Sequence, residues 1–334
     1  MFVFTQSNSA DGNELLSYRR NGDGGLVALD PVPTKGQGSG APHLPSQGSV
    51  TVSGDGRHVF VTNAGSGDLA VLAVRPGGAE LLQTVQAGTA PRSVAERDGL
   101  VHVLATGDPA VTSFRWDADA LTPIAGSRRE LPADADAAQV GFGPDGLLLV
   151  TSRGRDEIIA FPVRGSGLLG DPVTVPSSGP TPYGFATTPG GVVVVTEAFR
   201  AQKGAAAASS YRVADGRLTP VTGSAANGRS EICWAVVTPD GRYAFTTNFA
   251  DGAVSRWRID ADATLVLEDA TAGLTQDGRS GLRDEDLTTD GRFLYAIDAD
   301  AGELRGWAVD AAGTLTPVGT VANLPTTVAG LAAI

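Results

Sequence analysis

Thr327-Val328-Ala329-Gly330-Leu331-Ala332-Ala333-Ile334 closes the chain and Met1-Phe2-Val3-Phe4-Thr5-Gln6 opens it. Each is half of a phrase that recurs in full between them: an apolar strand, a tight Asp-Gly type turn, and a second apolar strand. The turn glycines are Gly56, Gly99, Gly146, Gly191, Gly241 and Gly291, at a spacing of about 45 residues, the period of propeller blades. The last residues read as a first strand that stops where its turn should come, and the first residues read as the second strand. The two ends therefore share one blade and close a ring, which leaves no open sheet edge. The expected fold is all-β, a single seven-bladed β-propeller of four-stranded antiparallel blades spanning residues 1–334.

The blades follow in order. Blade one runs from Ser49 to Ala87, blade two from Ser93 to Leu131, blade three from Ala138 to Val175, and blade four from Tyr183 to Gly223. Blade five covers Cys233 to Ala272 and blade six Asp284 to Ala322; the seventh combines Val328–Ile334 with Met1–Ser7, Leu15–Arg20 and Leu26–Pro31. Runs such as Val192-Val193-Val194-Val195 are apolar on both faces, as sheets sandwiched between neighbours require. The Asp-Gly turns share one face of the disc. Blade-to-blade connections and the loops after second strands share the other, and their varied side chains place the functional surface there.

Composition narrows the function. The 334 residues hold 44 Gly, 20 Pro, one cysteine and a net charge of −12. That charge disfavours nucleic acid, whose phosphates call for a basic surface. One cysteine excludes an internal disulfide. No apolar run suits a membrane span and no charged-then-apolar leader precedes the first strand, so the expectation is a cytoplasmic monomer acting on a small molecule, or a secreted one whose leader has been removed.

Aligned on the turn glycines, each blade presents one residue at the channel mouth: Ser49, Arg92, Gln139, Gly184, Trp234, Asp284 and Gly330. Arg283-Asp284-Glu285-Asp286 puts charge where a buried strand belongs. Strand alternation would set Asp284 and Asp286 on one side, roughly 7 Å apart, and paired carboxylates raise one pKa into the range of a general acid or base. Asp284, Glu197, His43 and Asp286 are thus the catalytic candidates. Arg92, expected to face Asp284 across the mouth, and Arg153 suit an anionic group or an oxyanion. Arg283, Glu285, Gln47, Tyr183, Trp234 and Asn248 complete the expected substrate contacts. Asn63 takes the same station as Asn248 in its own blade and reads as a turn former. Glu197 precedes the longest insertion, with Phe199, Arg200 and Lys203, which reads as a lid. His58 and His102 sit on second strands and read as structural; Cys233 has no obvious base and reads as packing. No cofactor is expected, with an oxygen-only calcium site from Glu197, Asn248 and Asp284 as a minor alternative.

Several stretches together resemble the bacterial seven-bladed propeller lactonase-like family, related to 6-phosphogluconolactonase and fungal 3-carboxymuconate cyclase. They are Phe4-Thr5-Gln6-Ser7-Asn8 with Gly12-Asn13-Glu14, His43-Leu44 through Ser46-Gln47-Gly48-Ser49, Val195-Thr196-Glu197-Ala198, Cys233-Trp234 with Thr238-Pro239-Asp240-Gly241, and Leu282 with Asp284. The resemblance spans nearly the whole chain. It implies hydrolysis of a sugar lactone, or a lactone-forming cyclisation, at the channel-mouth face without a tightly bound cofactor. Pro91-Arg92-Ser93 lacks the histidine of the phosphogluconolactonase-like phrase, and Glu285 and Asp286 replace apolar residues, which points to a specialised substrate. A ring-opening or ring-forming lyase or isomerase, and a non-catalytic propeller that captures a peptide or protein, are the alternatives.

Overall fold

The computed structural model describes residues 1–117, 120–275 and 278–334. Seven antiparallel sheets surround one axis. Five have four strands; in the second and seventh sheets the outermost strand is broken into two short pieces, Ala120–Pro123 with Arg129–Glu130 and Leu26–Ala28 with Val32–Pro33. Chain order runs from axis to rim in blades one to six. In the seventh, Ala329–Ala333 is innermost and Phe2–Gln6 lies beside it.

Closure is made by Val3, Phe4, Thr5 and Gln6 pairing with Ala333, Ala332, Leu331 and Ala329. Thr5 Oγ1 donates to the Ala329 carbonyl at 3.1 Å and Thr327 Oγ1 to that of Ser7 at 2.6 Å. Second strands are wholly buried, as in Leu147–Ser152 and Phe293–Asp298, because a neighbouring sheet covers each face. Apolar clusters accordingly lie between blades: Phe4, Leu15, Val59, Val61 and Leu72 join the seventh blade to the first. This inter-sheet burial is the main stabilising term.

All six repeat glycines have φ between +68° and +79°, the left-handed region that residues with a Cβ rarely occupy. In blades one, five and six a hydroxyl three residues before the glycine locks the turn. Ser53, Thr238 and Thr288 each donate to an aspartate, Asp55, Asp240 and Asp290, at 2.6 Å. The same carboxylate oxygen accepts the amide two residues on.

Innermost strands carry a feature that strict alternation does not anticipate. In blades two to seven their pairing slips by one residue at the end opposite the Asp-Gly turns, leaving Arg92, Ala138, Tyr183 with Gly184, Cys233, Asp284 and Gly330 in bulges. A bulge re-aims the side chains beside it. The expectation that Asp284 and Asp286 share a side by simple alternation therefore does not carry over.

The lid expectation is also corrected. Ala207–Ala214 is the third strand of blade four, and Phe199–Ala201 is a single 3₁₀ turn. Ala198 and Phe199 donate to the carbonyls of Thr181 and Pro180, and Ala206 to that of Arg229, which pins the segment to its neighbours. No helix among the described residues is long and apolar enough to cross a membrane.

Gly330 tests the closure. It holds φ +68°, and an added Cβ would lie 2.3 Å from Ser49 Oγ and 2.8 Å from the Val50 nitrogen. Gly330→Val should cost about 2 kcal/mol or more, read as a lower denaturant midpoint in chemical unfolding. An unchanged midpoint would show that this junction bears no strain.

Candidate active site

The connection into blade one crosses the axis. Gln47 donates its side-chain amide to the Ala235 carbonyl at 2.7 Å, and its oxygen accepts the Ala235 amide at 3.1 Å. Its backbone amide reaches the Ala138 carbonyl, and its carbonyl accepts from Ser93 Oγ at 2.6 Å. Trp234 Nε1 donates to the Ser46 carbonyl at 3.0 Å. Ser46–Gly48 is thus a plug bonded to blades two, three and five. An axial cavity of about 630 Å³ runs from this plug to the Asp-Gly turns Ser53–Gly56 and opens on their face. The expected pore mouth on the loop face is therefore closed, and the site there is a basin above the plug.

His43 is the centre of that basin. Its ring stacks on Phe249 at 5.8 Å and 11°, and leans on Trp234 at 6.3 Å. Three guanidinium groups, Arg283, Arg153 and Arg92, act on it from blades six, three and two. Burial first, then these cations, push its pKa down to about 4. More than a third of the residue nevertheless meets solvent. The imidazole is neutral at pH 7 and accessible.

The arginines are held differently. Arg153 donates to Asp136 Oδ1 at 2.7 Å and to the Asp136 carbonyl, and lies 4.8 Å over the Tyr183 ring. Tyr183 in turn packs 5.3 Å from Trp234. Its buried hydroxyl has no protein hydrogen-bond partner, and burial raises its pKa. Arg92 and Arg283 each keep a buried Nε with no protein partner. Burial lowers the pKa of both, and Arg153 adds to it for Arg92. Asp284 is a buried carboxylate that acts on Arg283. Burial raises its pKa to about 7 against the pull of Arg283, the Gly330 amide and Trp234, and its Oδ2 has no protein partner.

His43, Arg92, Arg153, Arg283, Tyr183, Trp234 and Asp284 are thus brought together. Arg92, however, has Arg153, Asp136 and Tyr183 as its charged and titratable neighbours, so the expected Arg92–Asp284 pairing across the mouth is not formed. Gln47 is the plug itself, its amide used up on Ala235. Cys233 is buried with its thiol pushed well up, which suits packing.

Other candidates lie elsewhere. Glu197 is fully buried inside blade four, where Oε1 accepts from Ser209 at 2.6 Å and Ser177 at 3.4 Å. Burial raises its pKa, while the Ser224 hydroxyl and Gly179 amide approach Oε2 without reaching bonding geometry. Asn248 serves blade five in the same way, bonding Asn227, Ala253 and Ser255. Asn63 does so in blade one. These residues end second strands and tie each blade's outer connection. The oxygens suggested for calcium therefore belong to separate networks. No group of three or more His, Cys, Asp or Glu side chains fit for a metal occurs among the described residues. Asp286 accepts the amides of Leu287 and Ala333 at 2.9 and 2.8 Å. It and Glu285 line the cavity below the plug.

This is the architecture of a closed seven-bladed propeller with a cationic basin on its loop face. Residues 194–329 match the family described as Lactonase, 7-bladed beta-propeller. A candidate 6-phosphogluconolactonase from Bacteroides fragilis is 20% identical and covers 99% of this chain and 97% of its own, with a TM-score of 0.77. A protein from Lactobacillus plantarum is 17% identical over 99% and 98%, TM-score 0.77. The periplasmic gluconolactonase of Pseudomonas aeruginosa is 18% identical over 98% and 99%, TM-score 0.70. At these identities the likeness establishes the fold. No curated protein matches the sequence.

The three-arginine field has a direct signature. In an NMR titration the His43 ring should stay neutral to below pH 5, and Arg283→Gln should move its midpoint upward. A wild-type midpoint at the ordinary 6.5 would mean that the cations do not face the ring.

Proposed function

We propose that this protein is a lactonase-type hydrolase whose substrate is a small cyclic ester bearing a carboxylate or phosphate. The observation that carries the proposal is the convergence of Arg92, Arg153 and Arg283 on a neutral, accessible histidine. A chain of net charge −12 that collects three arginines in one basin has built an anion site. Arginine binds carboxylate and phosphate through paired N–H groups.

In this reading Arg153, fixed by Asp136 and the Tyr183 ring, orients the substrate's anionic group. Arg92 and Arg283, whose Nε groups lack protein partners, stabilise negative charge on the former carbonyl oxygen as the tetrahedral intermediate forms. His43 takes a proton from water as the water oxygen bonds to the acyl carbon. The acyl–oxygen bond of the ring then breaks, and the same proton passes from His43 to the departing alkoxide. Asp284 sits beside Arg283 and positions it. A base with its pKa held near 4 is weak, yet it is unprotonated at neutral pH and sits where water has access.

The roles separate in kinetics. Arg92→Ala should lower kcat/KM on an anionic sugar lactone about 100-fold, with little effect on an uncharged lactone of the same ring size. His43→Asn should abolish the low-pH limb of the rate profile. That limb reflects protonation of His43 as pH falls and should have its midpoint near 4 in the wild type. Equal rates for wild type, Arg92→Ala and His43→Asn across a lactone panel would sink the proposal.

A further inference from the structure

The cavity below the plug is chemically the opposite of the basin above it. Along its roughly 630 Å³ stand five carboxylate residues, Asp55, Glu96, Asp284, Glu285 and Asp286, against one cation, Arg97. Arg97 is occupied, donating to the Gly143 carbonyl at 3.2 Å and lying 4.5 Å over the Phe142 ring. Asp55, Glu96 and Asp286 are likewise engaged, each accepting backbone amides. Glu285 is different. It is 3% exposed and neither of its carboxylate oxygens has a protein hydrogen-bond partner. The Thr247 amide approaches it without reaching bonding geometry. Burial, with Asp286 beside it, pushes its pKa well above the ordinary carboxylate range, and in the charged form it costs several kcal/mol unless a cation answers it. Asp284, also 3% exposed, adds an unpartnered Oδ2 to the same cavity.

We propose that the axial channel, entered from the Asp-Gly turn face, binds a small organic ammonium ion with Glu285 as its principal counter-charge. Shape and lining select this class. The acids are spread along the channel, and no three of them among the described residues gather as a metal would require. Between them Val50, Val94, Val140 and Leu331 offer apolar wall, suited to an alkyl body carrying one charged end. Since Ser46–Gly48 closes the inner end, such a ligand cannot reach His43, and this site shares only Asp284, at the boundary, with the proposed lactone chemistry.

Calorimetric titration of the full-length protein with butylammonium tests the assignment, with butanol, butyrate and Ca²⁺ as parallel titrants. Butylammonium should bind while butanol and butyrate do not. Glu285→Gln should weaken it at least tenfold, and Thr51→Phe, which fills the channel from blade one, should abolish it. Both variants should keep the wild-type circular dichroism spectrum. No butylammonium binding, equal affinity in folded Glu285→Gln, or tighter binding of Ca²⁺ than of butylammonium would each overturn it.

Discussion

The pairing of Ala329–Ala333 with Phe2–Gln6 is the constraint on which the rest of the molecule depends. A propeller blade is a small sheet with no core of its own, and its apolar faces are satisfied only by the sheets on either side. With the ring closed, every innermost strand runs to one axis, and the ends of those strands define a narrow circle. Six of them bulge there. The bulges let residues as different as Arg92, Tyr183, Cys233 and Asp284 occupy equivalent stations. Side chains from blades two, three and six thereby meet across the axis, although some 190 residues of sequence separate Arg92 from Arg283.

Closing the axis at mid-depth gives the molecule two electrostatic compartments. The plug is held by polar contacts to three blades, chiefly the paired Gln47–Ala235 bonds and the Trp234–Ser46 bond. Above it, burial and three guanidinium groups push the pKa of His43 down. Below it, carboxylates line the channel. The segment Arg283-Asp284-Glu285-Asp286 spans the boundary: Arg283 belongs to the basin, Asp284 borders both compartments, and Glu285 and Asp286 line the channel. Buried charge of this kind opposes folding. Arg283 and Asp284 offset it mutually, Asp286 is met by two backbone amides, and Glu285 is left without a protein answer.

The ring was legible because its signals are local. A turn needing positive φ selects glycine, so Gly56, Gly99, Gly146, Gly191, Gly241 and Gly291 mark the repeat, and the split phrase at the termini predicts closure. Arg92, Tyr183 and Asp284 stand out in the sequence as breaks in an apolar repeat, and the structure brings them together on the loop face. Glu197 and Asn248 lie apart from the basin for a reason the sequence hides. A polar residue ending a buried strand looks the same whether it turns toward the axis or toward its own blade's outer connection. The bulges were hidden because a one-residue slip leaves composition unchanged. The plug was hidden because Gln47 finds its partner 188 residues away, and the pKa of His43 because its three cations come from three separate blades.

The central claim is that the basin above the plug, rather than the channel beneath it, receives the anionic substrate. A crystal structure with a non-hydrolysable anionic lactone analogue tests this most directly. The account predicts the anion within hydrogen-bonding reach of Arg92, Arg153 and Arg283, with the ring carbonyl facing His43. An analogue seated instead among Glu285, Asp286 and the Asp-Gly turns would contradict it.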